Sequence, residues 1–406
     1  MRRILIVGGG VVGASIAWHV TERGLGEVVL LERDRLGSGT TWHSAGNITW
    51  KPVPDSDAPI EYVLDLLPRL ERESGQSTGW LRTGRLFIAR SDDALRTLEH
   101  HARAAEERGY GGALLEPGEV GRHHPLAAPD AIAGAWLNPL SGRVNPADLL
   151  AAYARGARRR GARLEEQCKV RGLVLGNGRV LGVDTDRGVF EADAVVVAAG
   201  LWTRRLLAGA GIAVAHGACE HFYAIAQPVP ALPRETPSFI CAEDLVYGRE
   251  EVGGFLVGFF DRDAKCLDVG ALPEPFAFTL LDEDWDQVAG YYRSACEIFP
   301  ALTEAPIRKL VNGPESFTPD GRPLIGPVEG VDGLYLACAM NSGGVTYSAM
   351  AGYGIADWLE NRPLRFDEFD CRPSRFSAEE CDPVRVDSRM PDAPSNFYRM
   401  HYAQVS

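Results

Sequence analysis

The sequence lacks a membrane-spanning run, since no apolar stretch approaches the ~18 to 20 residues that a bilayer core demands. It also lacks a basic excess. Lys and Arg number 42 against 55 Asp and Glu, a formal charge of −13, which argues against nucleic acid or an anionic membrane as partner because either needs a basic surface. Cysteine is present but unorganised. The residues at 168, 219, 241, 266, 296, 338, 371 and 381 form no C-x-x-C pair and no Cys/His ligand spacing, so neither a metal site nor a disulfide framework is expected. Internal repeats and low-complexity tracts are missing too. Met1-Arg2-Arg3 and the apolar residues after it imitate a secretory leader, but the run stops at Gly8, so a soluble cytoplasmic protein is expected. With 406 residues the chain exceeds what one hydrophobic core usually serves, and two joined domains are the default.

What is present is organised around the start of the chain. Arg2-Arg3-Ile4-Leu5-Ile6-Val7 is an apolar run of strand length, Gly8-Gly9-Gly10-Val11-Val12-Gly13 has the spacing G-x-G-x-x-G, and Ala14 to Val20 has helical apolar spacing. Gly8 permits a tight turn, Gly10 lets backbone amides approach a pyrophosphate, and Gly13 lets the helix pack on the strand. The helix start at Val11 and Val12 adds partial positive charge. A second strand, Glu27 to Leu31, leads to Glu32 about 20 residues on, where a carboxylate can accept both ribose hydroxyls. The pattern points to a bound dinucleotide.

After Glu32-Arg33 comes a loop of small residues, Gly39-Thr40-Thr41-Trp42-His43-Ser44-Ala45-Gly46, suited to lie against a flat ligand. The glycine turn, Leu31-Glu32-Arg33 and this loop together resemble the D-amino-acid-oxidase-like flavoprotein superfamily, and within it the branch of dimethylglycine and sarcosine dehydrogenases. The resemblance implies an α/β protein with a Rossmann-like FAD-binding domain and an interleaved α+β substrate domain built on a mostly antiparallel sheet. It also implies that His43, the His of T-W-H-x-A-G, carries FAD through a covalent bond to the 8α-methyl carbon. On composition alone a lone His is more often a structural residue.

Further along, Pro59 to Gly75 has helical spacing, with Pro68 expected to kink or divide it. Arg85 to Ala89 reads as a strand, Asp92 to Arg108 as a polar helix, and Asn145-Pro146 as the cap and first turn of another. His123-His124 reads as surface loop rather than as metal ligands. Val170, placed among the cofactor-binding residues, opens a meander around the hairpin signal Asn177-Gly178. Ala194 to Ala199 reads as a buried parallel strand whose end, Ala199-Gly200 with Trp202 beyond it, abuts the cofactor; the same ending recurs in the superfamily. From Ile212 to Pro306 the texture changes to aromatic, proline-broken strands, a natural substrate layer. Asn312-Gly313-Pro314-Glu315-Ser316-Phe317-Thr318-Pro319-Asp320-Gly321 resembles the superfamily's T-P-D-G segment, which lies near the flavin and gives Gly313 a cofactor role. Leu334 to Met340 reads as a strand that Asn341-Ser342-Gly343-Gly344-Val345 turns into a helix from Thr346. That repeats the logic of the opening, placed where the flavin gathers negative charge on reduction. The expected division is 1–80, 143–212 and 311–362 for the cofactor, 81–142 and 213–310 for the substrate, and 363–406 as a tail.

Amine oxidation by a flavin needs an unprotonated amine, so a nearby base is useful. Resemblance to dimethylglycine-oxidising relatives gives the catalytic roles to His221, in an H-x-Y strand position, and to Tyr247 on a following strand; from the residues alone, a structural hydrogen bond and ordinary packing stay open. A carboxylate-bearing substrate needs a cationic clamp, for which Arg85, Arg249, Arg262, Arg308 and Lys309 are candidates. The expected reaction is oxidation of a small secondary or tertiary amine. An N-methyl amino acid such as sarcosine or dimethylglycine would lose hydride to flavin N5, and the iminium would be hydrolysed to the dealkylated amine and formaldehyde. Two alternatives stay open: an imino or amino acid oxidase acting at a ring or backbone carbon, and a flavoprotein subunit of a multi-chain electron-transfer or folate-linked complex. The acceptor is O2 or an electron-carrier protein. The resemblance ends near residue 362, where larger relatives continue into a folate-binding domain, so a separate folate-binding partner or a homo-oligomer is open. For the tail, docking through Phe397, Tyr398 and Tyr402 and disorder are both open.

Overall fold

The opening apolar run becomes the strand Arg3–Val7, whose last four residues are buried. In the computed structural model, which describes residues 1–49, 59–229, 232–366 and 370–396, this strand sits inside a six-stranded sheet. The order is Leu324–Pro327, Leu334–Cys338, Ala194–Val197, Arg3–Val7, Glu27–Leu31, Arg163–Glu165. Every neighbouring pair is parallel except at the edge strand Leu324–Pro327. Strands covered on both faces must be apolar throughout, which is why Arg3–Val7 and Ala194–Val197 read as unbroken runs rather than alternating ones.

Two helices lie together against this sheet. Val11–Glu22 and Gly344–Leu359 run side by side, and Ser15 Oγ donates to the Ser348 carbonyl at 2.7 Å. The opening helix starts close to its own strand because two positions have no side chain. Gly8 holds a φ of +112°, and a Cβ at Gly13 would overlap the Gly8 carbonyl oxygen. The helix Pro146–Arg159, capped by Asn145 as expected, covers the opposite flank, where Trp18 and Tyr153 meet edge to face at 6.2 Å.

The second layer is an eight-stranded sheet in the order Ile307–Asn312, Phe222–Ala226, Gly254–Phe259, Val246–Glu251, Ser238–Cys241, Arg85–Ala89, Gly134–Asn138, Ala113–Leu115. It is antiparallel throughout except where Ser238–Cys241 pairs with Arg85–Ala89. The helix Trp285–Ile298 covers one face over a cluster that includes Phe239, Phe255, Phe259 and Phe299. Among the described residues no helix is long and apolar enough to cross a membrane, and no group of three or more His, Cys, Asp or Glu could hold a metal ion.

Two local expectations need correction. The helix Pro59–Ser74 runs through Pro68 undivided: its stripe Ile60, Val63, Leu67 and Leu70 is buried, while Pro68 faces solvent, where water can satisfy the carbonyl that the missing N–H leaves. His123 ends a helix, Pro117–His123, and His124 is no surface residue. Its ring packs 4.6 Å from Phe299 and 5.5 Å from Phe255, because the turn after the helix points it into the aromatic cluster. The tail docks through a helix, Pro383–Arg389, with Val386, Met390 and Ala393 buried beside Cys219 and Phe317; Phe397, Tyr398 and Tyr402 lie outside the described residues.

His124 carries a cost that can be measured. Both ring nitrogens lack a hydrogen-bond partner, and burial lowers the pKa from 6.5 to about 3. A group whose folded pKa is depressed leaves stability intact above its unfolded value and drains it as pH falls from about 6.5 towards 3. The loss is on the order of 5 kcal/mol at about 1.4 kcal/mol per pH unit. His124→Leu, similar in volume, should therefore raise the melting temperature more at pH 5 than at pH 8. Thermal denaturation at the two pH values checks this, and an equal effect at both would mean that the ring is not held neutral.

Candidate functional site

Three neighbouring strands of the parallel sheet, Arg3–Val7, Ala194–Val197 and Leu334–Cys338, end at one edge, and the turns that follow them wall a cavity of about 400 Å³. Gly8 and Gly10 come from the first turn, Ala199, Gly200 and Trp202 from the second, Asn341 and Ser342 from the third. The helices that follow the first and third turns begin without a side-chain cap and without an acid in their first turn. Their starts, Val11 and Val12, Gly344 and Val345, lie in the cavity wall, so partial positive charge from both gathers there. The Val11 amide donates to Thr41 Oγ1 at 3.1 Å. That bond draws the 39–44 loop over the glycine turn, where Gly39, Thr40, Thr41 and Ser44 line the cavity.

Glu32 does more than wait for a ribose. Its Oε2 accepts from the Gly9 amide at 2.7 Å and its Oε1 from the Asp34 amide at 2.9 Å, while burial pushes its pKa up. A carboxylate has about four acceptor positions, so two hold the glycine turn in shape and the others are available to a ligand. Arg33 stacks on the Trp202 ring at 4.5 Å, tying the second strand to the turn after Ala194–Val197. That turn is also anchored from behind, since the buried His216 places Nε2 3.0 Å from the Gly200 carbonyl. Val170 completes this side.

The third turn is strained. Ala339, Asn341 and Ser342 have φ of 49°, 49° and 62°, a left-handed conformation that costs roughly 1 kcal/mol or more for a residue with a Cβ. Asn341, fully buried, sustains it: Oδ1 accepts from the Thr318 amide at 2.9 Å and Nδ2 donates to the Ala339 carbonyl at 2.7 Å. The T-P-D-G segment is thereby fastened to the turn, and Arg375 of the tail pairs with its Asp320 at 2.8 Å.

Other expected positions lie behind this wall. Gly343 caps the closing helix, Thr346 Oγ1 donates to the Asn47 carbonyl at 3.0 Å, and the Gly46 carbonyl accepts from the Val144 amide at 2.9 Å. His43 is buried, kept neutral by a pKa lowered to about 4. A Cβ on Gly313 would overlap its ring, and the Gly313 amide donates to the His221 carbonyl at 2.9 Å. His221 immediately precedes the strand Phe222–Ala226, and its ring packs 5.0 Å from Phe260. Burial first and His43 second lower its pKa to about 3, and its Nε2 stands 3.4 Å from Ser342 Oγ. Tyr247 is buried against Phe260, with centroids 5.3 Å apart, and burial raises its phenol far above the ordinary range.

Of the five candidate cations, Arg262, Arg308 and Lys309 are exposed, Lys309 pairing with Glu283 at 2.9 Å. Arg85 and Arg249 are buried. Arg85 donates to Ser238 Oγ at 3.1 Å and also bonds Thr49; Arg249 Nε donates to the Ala45 carbonyl at 2.7 Å and its Nη1 pairs with Glu251. Both influence Tyr247.

Reading the sequence passed over Glu315. Within Asn312-Gly313-Pro314-Glu315 only the glycine drew notice, although an acid inside a strand-like run was a signal. The short strand Glu315–Phe317 pairs with Gly217–Cys219 and sets Glu315, buried, in the cavity wall. Lys169, Arg171 and Arg205 also line the cavity, and no motif marks them.

The residues present fit a flavin dinucleotide: glycine backbone and helix starts for the pyrophosphate, Glu32 at the ribose strand, and a buried group of imidazole, hydroxyl, phenol and carboxyl beyond. The family described as FAD dependent oxidoreductase (DAO) matches residues 3–358. The chain is 32% identical over 404 residues to 4-methylaminobutanoate oxidase (formaldehyde-forming) of Paenarthrobacter nicotinovorans, covering 99% of this chain and 49% of that protein. It is 32% identical over 365 residues to mitochondrial sarcosine dehydrogenase of Mus musculus, covering 88% and 39%. The chain thus spans about half the length, or less, of these curated relatives. Its fold is similar to that of L-proline dehydrogenase from P. horikoshii, with a TM-score of 0.79, 25% identity, and coverage of 92% of this chain and 97% of that one.

The contact between Gly313 and His43 yields a direct test. Gly313→Ala forces the His43 ring out of place, and the purified variant should carry several-fold less flavin, measured as the flavin-to-protein absorbance ratio, with an unchanged far-UV circular dichroism spectrum. Full flavin content would show that the ring position does not matter to the cofactor.

Proposed function

Because this chain belongs to the FAD dependent oxidoreductase family, we propose that it oxidises a C–N bond of a small amine, imino acid or amino acid, with FAD held across the two glycine turns. The observation that carries the reading is the convergence of two uncapped helix starts on one cavity whose wall also holds a buried acid. Bound there, FAD supplies the acceptor for a hydride leaving the carbon beside nitrogen, and the substrate iminium that remains takes up water. The segments 1–80, 143–212 and 311–362 hold the cofactor, and 81–142 with 213–310 the substrate. His221 and Tyr247 contact the substrate amine, and Arg85 or Arg249 anchors a carboxylate. His43 is the proposed attachment residue: an imidazole kept neutral by burial has a free lone pair, which bond formation to the flavin 8α-methyl carbon requires.

Two carbons are open to oxidation. Two relatives support an N-methyl carbon, the formaldehyde-forming 4-methylaminobutanoate oxidase and the sarcosine dehydrogenase. The likeness to L-proline dehydrogenase supports a ring or backbone carbon.

An anaerobic screen of the holoprotein with sarcosine, dimethylglycine, 4-methylaminobutanoate, proline and glycine decides. At least one should bleach the visible flavin band, and release of one formaldehyde per flavin marks the N-methyl carbon, its absence the other. Bleaching by none would retire amine oxidation in favour of a flavoprotein subunit. For His43, acid precipitation should leave a yellow pellet from wild type and a yellow supernatant from His43→Ala; a yellow supernatant from wild type would remove the covalent bond.

A further inference from the structure

Glu315 is a buried carboxyl that the described residues satisfy only in part. It is 7% exposed, lines the cavity, and its Oε2 has no hydrogen-bond partner. An ionised carboxylate in such a place costs several kcal/mol unless a cation or hydrogen bonds offset it. The groups around it are almost all neutral. Ser342, on the strained turn, bonds towards it; His221 and His43 are imidazoles without charge; Tyr223 is a half-buried phenol and Tyr247 a buried one, each raised first by burial and further by Glu315 itself. Cys219 sits opposite it in the strand register. Arg85 and Arg249 act on Tyr247, and Arg249 and Glu251 on Tyr223. Along the cavity wall Glu315 joins Glu32, Asp34 and Glu274 and the cations Arg33, Lys169, Arg171 and Arg205, and among those four acids it is Glu315 that has a buried oxygen with no donor.

We propose that Glu315 binds the substrate's nitrogen as an ammonium ion and takes its proton, a step that rests on the amine-oxidising reading above. The ammonium N–H bond breaks, the proton moves to a Glu315 oxygen, and nitrogen keeps the electron pair; a carboxylate and an ammonium become a carboxylic acid and a neutral amine, with no oxidant required. The lone pair so released is what lets the neighbouring carbon give up hydride. His221 is less suited to this task. Held neutral with a pKa of about 3, it cannot retain a proton near neutrality, whereas burial raises Glu315 to about 7, close to the working pH at which a proton acceptor is most effective. The substrate class follows: a small aliphatic ammonium, with its carboxylate, where it has one, directed away from Glu315 towards the buried guanidinium groups.

Glycine betaine tests the binding half without turnover. Its quaternary nitrogen is always cationic and has no lone pair, so it cannot be oxidised. Binding to the wild-type holoprotein, followed by calorimetry and by flavin absorbance, should tighten about tenfold from pH 6 to pH 8 as the fraction of ionised Glu315 rises through its midpoint. Glu315→Gln should bind betaine at least tenfold more weakly at pH 8 and without the pH step, while Glu315→Asp should keep a step at a displaced pH. Anaerobic flavin reduction by whichever amine bleaches the wild type should lose its acid limb in Glu315→Gln and regain rate at high pH, where the amine arrives neutral. A wild type whose betaine affinity is flat with pH, or a Gln variant with the wild-type step, would overturn the proposal. Should the Gln variant fail to retain flavin, an Asp variant whose step is not displaced would overturn it as well. A wild type that bleaches normally while Glu315→Gln is indistinguishable from it sinks the proton acceptor alone. A betaine step without bleaching by any amine sinks the oxidation reading and the proton transfer with it.

Discussion

Helix starts whose cap position is a glycine leave backbone amides without a local side-chain acceptor, and in this protein two such starts, after Gly10 and Gly343, stand together. The helices Val11–Glu22 and Gly344–Leu359 are separated by more than 300 residues of chain, yet the Ser15 hydroxyl reaches the Ser348 carbonyl. Parallel strand pairing enforces this: Arg3–Val7 and Leu334–Cys338 flank Ala194–Val197, so all three end at one edge and the helices leave from the same side. The ligand is specified first by that geometry, as an elongated anion-bearing molecule lying across the edge. Packing precision at Gly8, Gly13 and Gly313, and the strain accepted at Ala339 and Ser342, serve to keep the edge clear.

Around this edge the protein keeps its imidazoles uncharged. His19, His43, His216 and His221 are all buried, and burial is the largest cause of each lowered pKa. Their work is directional rather than electrostatic: His19 joins Ser15 to Tyr62, with Nδ1 2.7 Å from the Ser15 carbonyl and Nε2 2.6 Å from the Tyr62 hydroxyl, and His216 holds the Gly200 turn. Against neutral rings Glu315 stands out, since its Oε2 lacks a partner while both oxygens of the equally buried Glu32 accept backbone amides. In a low-dielectric site one unneutralised carboxyl outweighs several neutral hydrogen bonds in deciding which ligand charge is welcome.

Local signals in the sequence carried far. The G-x-G-x-x-G turn, the Asn145 cap with Pro146, the Asn177-Gly178 hairpin and the helix after Gly343 are each written in residues within a few positions of one another, and short-range sterics and capping act at that range. The misreadings share a different character. The bond that Pro68 removes is a local property, whereas the buried stripe that keeps its helix undivided depends on what packs against it. Nothing near His124 in the chain marks it as buried, because the hydrophobic cluster that receives it is assembled from residues more than 100 positions away.

The amino-acid sequence by itself determined that a dinucleotide-binding edge exists, which turns form it and which helices abut it, because those depend on glycine positions and apolar periodicity along a continuous stretch. Only the tertiary structure decided what the chemistry at that edge meets. Which of five cations is buried, that His43 lies against Gly313, and that Glu315 has an oxygen without a partner all depend on the packing of one sheet over another. Burial in turn sets which groups keep a charge, and solvent exclusion is a property of the assembled layers that no single segment encodes.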